Sequence, residues 1–505
     1  MSNHFSTNNI RIAKNTLFLY LRMFLTMTVG LYTSRVVLQT LGIDDYGIYN
    51  IVGGIVILFS FISNALRNAT QRFLSFEIGK TTDGNVQKIF NISIQSHIVI
   101  CLLLFLLAET IGLWFCLTQL NVPVGREDVI NYVYQFSVVT FLIQVMQVPF
   151  YSAIISYERM SFYAYISILE SFLKLLLVYL LIVSPWDKLV VYSALIAVVS
   201  VIILLANVLY CIIKLGLNSF YLEKDKRSFK NMMSFSGWSM ANGCATMFSQ
   251  QGANYFMNIF SGVAANAAFG IANQVSAIIY SFVSNFQSAF QPQIVKQYAA
   301  KDYETLKILI FRSSLLSYYL LLLIVISFGV ESNYLLEKWL GVVPDNTSIF
   351  CILLLCYFLI DAIQAPIWML TYGTGDIKKY TIVTAIITIF NLPLAWLLLY
   401  YQKPLYSIFV VKILLNICCC VYRMIYVNTH IKFPSLDYVK KVGFRAIWVT
   451  MIILVSIRLI SCFNIQPVIN ILISCICSGM IILLLGFDSS DRKSILLIFK
   501  RMISK

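Results

Sequence analysis

The chain has 505 residues, 37 Lys+Arg against 22 Asp+Glu, and a formal net charge of +15. Hydrophobic residues make up 59% and charged residues 12%, about half the charged share of an ordinary soluble domain, and the mean hydropathy is +0.82. Soluble, disordered and nucleic-acid-binding readings are excluded, because so apolar a chain has no polar surface on which its basic excess would meet nucleic acid. The composition is that of a polytopic all-α membrane protein.

In chain order, the apolar runs predict about 14 transmembrane helices. They fall at about 17–38, 46–68, 92–117, 132–156, 162–183, 190–215, 235–260, 265–290, 306–329, 349–372, 380–400, 405–427, 443–462 and 468–486. Their length, and the lack of alternation at every second residue, favour helices over barrel strands. The first run contains Arg22 and Arg35 and no small-residue cleavage pattern, so it reads as a retained span rather than a signal peptide. The longest interruption, about Gly216–Met232, is too short to fold alone.

Lys and Arg in the short loops set the orientation. With the N-terminus inside, the outer segments carry only Arg126, Lys188, Lys338 and Lys403, whereas every inner segment but the one at Arg159 carries at least two cations. This predicts a multi-pass protein with both termini cytoplasmic.

The chain repeats itself. Laying Phe141–Tyr163 on Phe358–Tyr380 matches Phe141, Leu142, Ile143, Gln147, Pro149 and Tyr163 with Phe358, Leu359, Ile360, Gln364, Pro366 and Tyr380. Ser60, Phe61, Ser63 and Asn64 similarly match Ser281, Phe282, Ser284 and Asn285. Spans 1–6 thus recur as spans 7–12 in the same orientation, as two parallel six-helix lobes with a cavity between them and alternating access by rocking. The expected division is 1–215 for the N-terminal lobe, 216–232 for a cytoplasmic inter-lobe linker, 233–430 for the C-terminal lobe, and 431–505 for two extra C-terminal helices and a cytoplasmic tail. Pro149 and Pro366 each remove a backbone hydrogen bond within a span. As a matched pair they are candidates for gating, against the plainer reading of tolerated prolines.

Polar groups inside the spans are the candidate site. Arg22 lies about 7 Å into span 1, on a stripe with Asn15, Thr26 and Thr33; Arg35 is nearer the outer end on another face. Asn242, Gln250 and Asn254 in span 7, and Asn273 and Asn285 in span 8, extend the theme with carboxamides that suit a polyhydroxylated substrate, or that join helices by hydrogen bonds. Asp361 and Glu170 are candidate coupling carboxylates, with Lys412 a partner for Asp361 or for an anionic substrate. Glu170 and Lys174 are also spaced to neutralise each other. Arg312, Arg423 and Arg458 lie near enough to a boundary to snorkel. The 12 cysteines and three histidines show no metal-type spacing, so no metal or other cofactor is expected. No phosphate-binding loop of the G-x-x-x-x-G-K-[ST] type is present, so the chain does not itself hydrolyse ATP.

The run Arg35–Asn50, RVVLQTLGIDDYGIYN, followed by Arg67–Phe73, RNATQRF, resembles the first two helices of bacterial polysaccharide (O-antigen-type) flippases. These belong to the multidrug/oligosaccharidyl-lipid/polysaccharide exporter superfamily, whose two six-helix lobes plus two extra helices match the predicted topology. The resemblance implies a non-enzymatic translocator of the bacterial inner membrane. Its cargo would be an undecaprenyl-diphosphate-linked oligosaccharide for lipopolysaccharide or other surface polysaccharide, with Arg22, Arg35 and Arg67 placed to meet the diphosphate or acidic sugars. It names membrane lipids as surroundings, leaves H+ or Na+ coupling and association with the polysaccharide polymerase machinery open, and involves no nucleic acid. Two alternatives remain. An ion-coupled multidrug exporter of the same architecture would favour acids and aromatics in its cavity, and a membrane polymerase would need a larger external loop than any here.

Overall fold

The structure, a computed structural model, describes residues 20–30, 60–80, 85–114, 127–340, 343–461 and 466–488, with isolated positions at 18, 32, 33, 36, 37, 40, 41 and 492. These residues include no strand. The helices are α1 (residues 20–30), α2 (Ser60–Gly79), α3 (Val86–Leu107), α4 (Glu127–Ser156), α5 (Met160–Val183), α6 (Lys188–Leu215), α7 (Lys226–Ala299), α8 (Tyr303–Val330), α9 (Ser332–Leu340), α10 (Thr347–Thr374), α11 (Lys378–Ile389), α12 (Asn391–Tyr400), α13 (Ser407–Ile431), α14 (Ser435–Tyr438), α15 (Phe444–Ser461) and α16 (Pro467–Leu485).

Among the described residues, 10 helical stretches are long and apolar enough to cross a membrane. They coincide with the predicted runs from 92–117 to 190–215 and from 306–329 to 468–486. Of the remaining runs, 17–38 is described in part and 46–68 only from Ser60 onward. The runs at 235–260 and 265–290 both fall within α7, one helical element of 74 residues. The amides and hydroxyls that make this element a candidate site also keep it less apolar than the other spans.

The chain divides into two compact units, with the boundary between Gly243 and Cys244 inside α7. In the N-terminal unit, α4 is central and packs against α2, α3 and α6. Its buried side chains Tyr134, Val145 and Ile154 join separate apolar clusters along its length. α3 ends in one π turn, Ala108–Gly112, whose Ala108 carbonyl accepts a hydrogen bond from the Tyr134 hydroxyl at 2.7 Å. A Cβ at residue 112 would collide with that hydroxyl, so the close approach requires glycine. α6 stops at Gly216, whose φ of 70° makes the left-handed cap that glycine adopts without steric cost.

The C-terminal unit centres on α10, which packs against α8 and α13. Phe350, Leu355, Ala362, Ala365 and Ile367 of α10 are fully buried in a single apolar cluster that also takes in Phe409 of α13 and Ile482 of α16. The repeat pairing that lays α4 on α10 also lays α5 on α11 and α12, and α6 on α13. α5 is continuous, whereas its counterpart breaks at Phe390. Pro393 explains the break, since it cannot donate to the Ile389 carbonyl one turn earlier. Pro149 and Pro366 stand inside unbroken α4 and α10, and both are buried.

Candidate functional site

The N-terminal unit holds a partly open cavity of about 720 Å³. Five helices line it, each with one polar face. α1 supplies Arg22 and Thr26, α2 supplies Ser63, Asn64 and Arg67, and α4 supplies Gln144, Gln147 and Tyr151. α5 supplies Tyr163, Ser167, Glu170, Ser171 and Lys174, and α6 supplies Tyr192 and Ser200. On α5 these residues recur every three or four positions, which places them on one face. Leu169, Phe172 and Leu176 are exposed on the others. The polar face turned inward and apolar faces turned outward reverse the arrangement of a soluble helix, as hydrocarbon surroundings require.

Three cations and one carboxylate line the cavity. The Arg22 guanidinium carbon lies 4.7 Å from the centre of the Tyr163 ring, within cation–π range. Arg67 acts electrostatically on the same tyrosine, and its Nε is buried with no hydrogen-bond partner among the described residues. Tyr151 meets Tyr163 edge-on with ring centres 5.6 Å apart. Lys174 Nζ donates to Glu170 Oε1 at 2.7 Å, so the spacing-based expectation of mutual neutralisation describes the geometry. Gln147 Nε2 donates to the Ser200 carbonyl at 2.9 Å, tying α4 to α6. The arrangement suits an anion held among hydroxyls and amides.

Arg22 and Arg67 therefore share one cavity, which Glu170 also lines from α5. Arg35 and the side chain of Asn254 lie outside the described residues. Asn242, Gln250, Asn273 and Asn285 do not line this cavity. Gln250 is exposed. Asn273 Nδ2 donates to the Phe269 carbonyl at 3.0 Å and Asn285 Nδ2 to the Ser281 carbonyl at 2.9 Å, so both amides bond back to their own helix. Periodicity places such residues on a face but does not show which partner an amide takes.

Asp361 belongs to a second cluster, inside the C-terminal unit. Tyr280 donates its hydroxyl to Asp361 Oδ2 at 2.6 Å and stacks on Phe358 at 4.5 Å. Lys412 Nζ stands 4.7 Å from the centre of the Tyr357 ring, within electrostatic range of Asp361. Gln364 Nε2 donates to Asn416 Oδ1 at 2.7 Å, and this repeats the Gln147 link between corresponding helices. Arg423, which sequence position alone makes a boundary residue, instead donates its Nε to the Tyr380 hydroxyl at 2.8 Å. Tyr163 and Tyr380, matched in the repeat, thus each meet an arginine, from α1 in one unit and α13 in the other. The tyrosines were the signal missed: their aromatic rings count as apolar in a hydropathy reading, while their hydroxyls and π faces carry much of the polar contact.

A family model described as polysaccharide biosynthesis protein matches residues 12–297, and one described as MatE matches residues 239–397. No curated protein sequence matches the chain. Among solved structures, an outward-facing multidrug resistance MATE family transporter of the MOP superfamily is 12% identical, with a TM-score of 0.67, over 83% of this chain and 96% of the other. A MOP superfamily transporter from Pyrococcus furiosus, described as having a binding pocket of reversed polarity that suggests a different function, is 12% identical, with a TM-score of 0.66, over 83% and 96%. A MATE transporter from Vibrio cholerae is 17% identical, with a TM-score of 0.61, over 85% and 98%. At these identities the likeness is one of fold.

Proposed function

Since the chain belongs to the polysaccharide biosynthesis protein family, whose model spans more than half of it, we propose that it flips a lipid-linked oligosaccharide across the bacterial inner membrane. The cargo would be carried on undecaprenyl diphosphate and destined for lipopolysaccharide or another surface polysaccharide. The fold and family are those of a transporter rather than an enzyme. The observation that carries the reading is the N-terminal cavity, where Arg22, Arg67 and Lys174 face a single carboxylate amid amides and hydroxyls. Guanidinium groups donate paired, charge-assisted hydrogen bonds to phosphate oxygens, and the neutral polar groups suit sugar hydroxyls. In this reading Arg35, Asn242, Gln250, Asn254, Asn273 and Asn285 belong to the path, Pro149 and Pro366 serve gating, and access alternates between lobes with both termini cytoplasmic.

Arg22 supplies the test. Arg22→Ala is expected to lower surface polysaccharide by about 10- to 100-fold, the scale of a lost hydrogen bond to a charged group, in a flippase-deficient strain and at normal membrane-protein level. Arg22→Lys keeps the charge without the planar fork and is expected to fall between. Normal export by Arg22→Ala, or loss only because the protein is absent, overturns the assignment. A second reading, ion-coupled multidrug export, is favoured by the partly buried carboxylate Asp361 and the aromatic rings of Tyr280, Tyr357 and Phe358 near it, and predicts drug resistance, with no polysaccharide phenotype, when the chain is overproduced.

A further inference from the structure

We propose that Glu170 is a built-in competitor for the anionic cargo. Its carboxylate occupies Lys174 until the cargo displaces it, and Lys174 becomes a third cargo-binding cation by exchange. The inference rests on the reading of the N-terminal cavity as the cargo site.

The three cations of the cavity are held differently. Arg22 lies against the Tyr163 ring, and Arg67 has a buried Nε with no hydrogen-bond partner among the described residues. Lys174 is joined to Glu170, the carboxylate that lines the cavity among the described residues. The two side chains stand one turn apart on the same face of α5 and remain 46% and 33% exposed. A wetted pair at this spacing is weakly held, so an incoming diphosphate separates it readily. The freed carboxylate then shares the cavity with a like charge, where it opposes the cargo. The groups that act on it electrostatically come from each neighbouring wall: Lys174 and Tyr163 of α5 and Tyr151 of α4, with Arg22 of α1 and Arg67 of α2 acting on the same Tyr163.

Exchange answers a requirement of transport. Three cations with no competing carboxylate would hold a diphosphate too long to release it, whereas a carrier must bind well enough to load and loosely enough to unload. A carboxylate that retakes Lys174 as the cargo departs stabilises the emptied site and lowers affinity without removing a recognition group. It also discriminates among ligands, because a neutral sugar gains nothing from Lys174 and does not break the pair.

The experiment is a double-mutant cycle on the purified full chain, read by titration calorimetry with farnesyl diphosphate as the lipid-borne probe and inorganic pyrophosphate as the free one. Glu170→Gln is expected to tighten binding about 3- to 10-fold and Lys174→Gln to weaken it by a similar factor. Glu170→Asp, with a shorter reach to Lys174, is expected to fall between wild type and Glu170→Gln. The gain from Glu170→Gln should shrink markedly in the Lys174→Gln background, because the competition has lost its object. Equal affinity for the two probes assigns recognition to the diphosphate, and preference for farnesyl diphosphate adds the lipid; both support exchange when the cycle shows this coupling. If Glu170→Gln binds no tighter, or gains as much without Lys174 as with it, exchange is wrong although the cavity still binds cargo. If the wild-type chain binds neither probe, the cargo reading fails and the exchange falls with it.

Discussion

Asp361 and Lys412 pose a residue-scale question of structural pair against functional carboxylate. Tyr280 donates to the carboxylate, and Lys412, set over Tyr357, lies within its field. Removing the anion leaves a cation with fewer compensating groups, at a cost of about 1–3 kcal/mol, so Asp361→Asn should lower both thermal stability and export. Replacing both residues, as Asp361→Asn with Lys412→Met, removes the stranded charge and should restore stability. If Asp361 couples transport to an ion gradient, the double variant stays defective in export, or exports without dependence on the gradient. Full, gradient-dependent export by the stable double variant would assign the pair a structural role. Measurement of melting temperature beside transport separates these outcomes.

Among the connecting elements, residues 216–225 illustrate why a charged stretch between apolar runs is not simply a tether. Gln87 and Asn91, one turn apart on α3, both donate to the Ser219 carbonyl at 2.9 Å, and Gln95 reaches the Tyr221 carbonyl at 3.4 Å. Lys88 pairs with Asp225 at 2.8 Å. Asp225 also accepts from the backbone N–H groups of Arg227 and Ser228 at the start of α7, as an N-cap does. Lys88 first, then the Ser228 N–H and hydroxyl, hold the Asp225 carboxyl well below the usual carboxylate range. A depressed carboxylate contributes stability above its unfolded-state value, about pH 4, and loses it as pH falls through the folded value. The strap should therefore stay docked at neutral and mildly acidic pH and loosen only in strong acid. Asp225→Asn should loosen it at neutral pH, seen as faster amide hydrogen exchange over residues 217–228. Unchanged exchange there would show that the α3 amides alone hold it.

For the whole molecule, the count and direction of the spans decide what faces each compartment. Three apolar helical spans, Thr347–Thr374, Lys378–Tyr400 and Ser407–Ile431, separate Lys338 from Lys440. If all three cross the membrane, the odd number would put Lys338 and the start of the next span at Lys440 on opposite sides, and the distribution of Lys and Arg predicts Lys338 outside. Cysteine-accessibility labelling or reporter fusions should find Lys338 external and Lys440 cytoplasmic; both on one side would break the topology. Exposed stripes such as Ile447, Trp448, Met451 and Val455 on α15 would be an aggregation hazard in water, and are the expected surface against lipid.

The sequence by itself determined the membrane class, the helical architecture and the positions of the 10 described spans, because hydrocarbon thickness sets a long, uniform run length that survives any detail of packing. It also marked the matched glutamines and prolines, since the repeat is written in residue identities. It singled out Arg22, because a charge within an apolar run is conspicuous in one dimension. Only the tertiary structure decided that Arg22 and Arg67 share one cavity, that Arg423 turns to Tyr380, and that Asn273 and Asn285 each give a bond back to their own helix. Those outcomes depend on which faces of separate helices meet. Neighbours far apart in the chain choose a polar side chain's partner, while periodicity within one helix names only the face on which it stands.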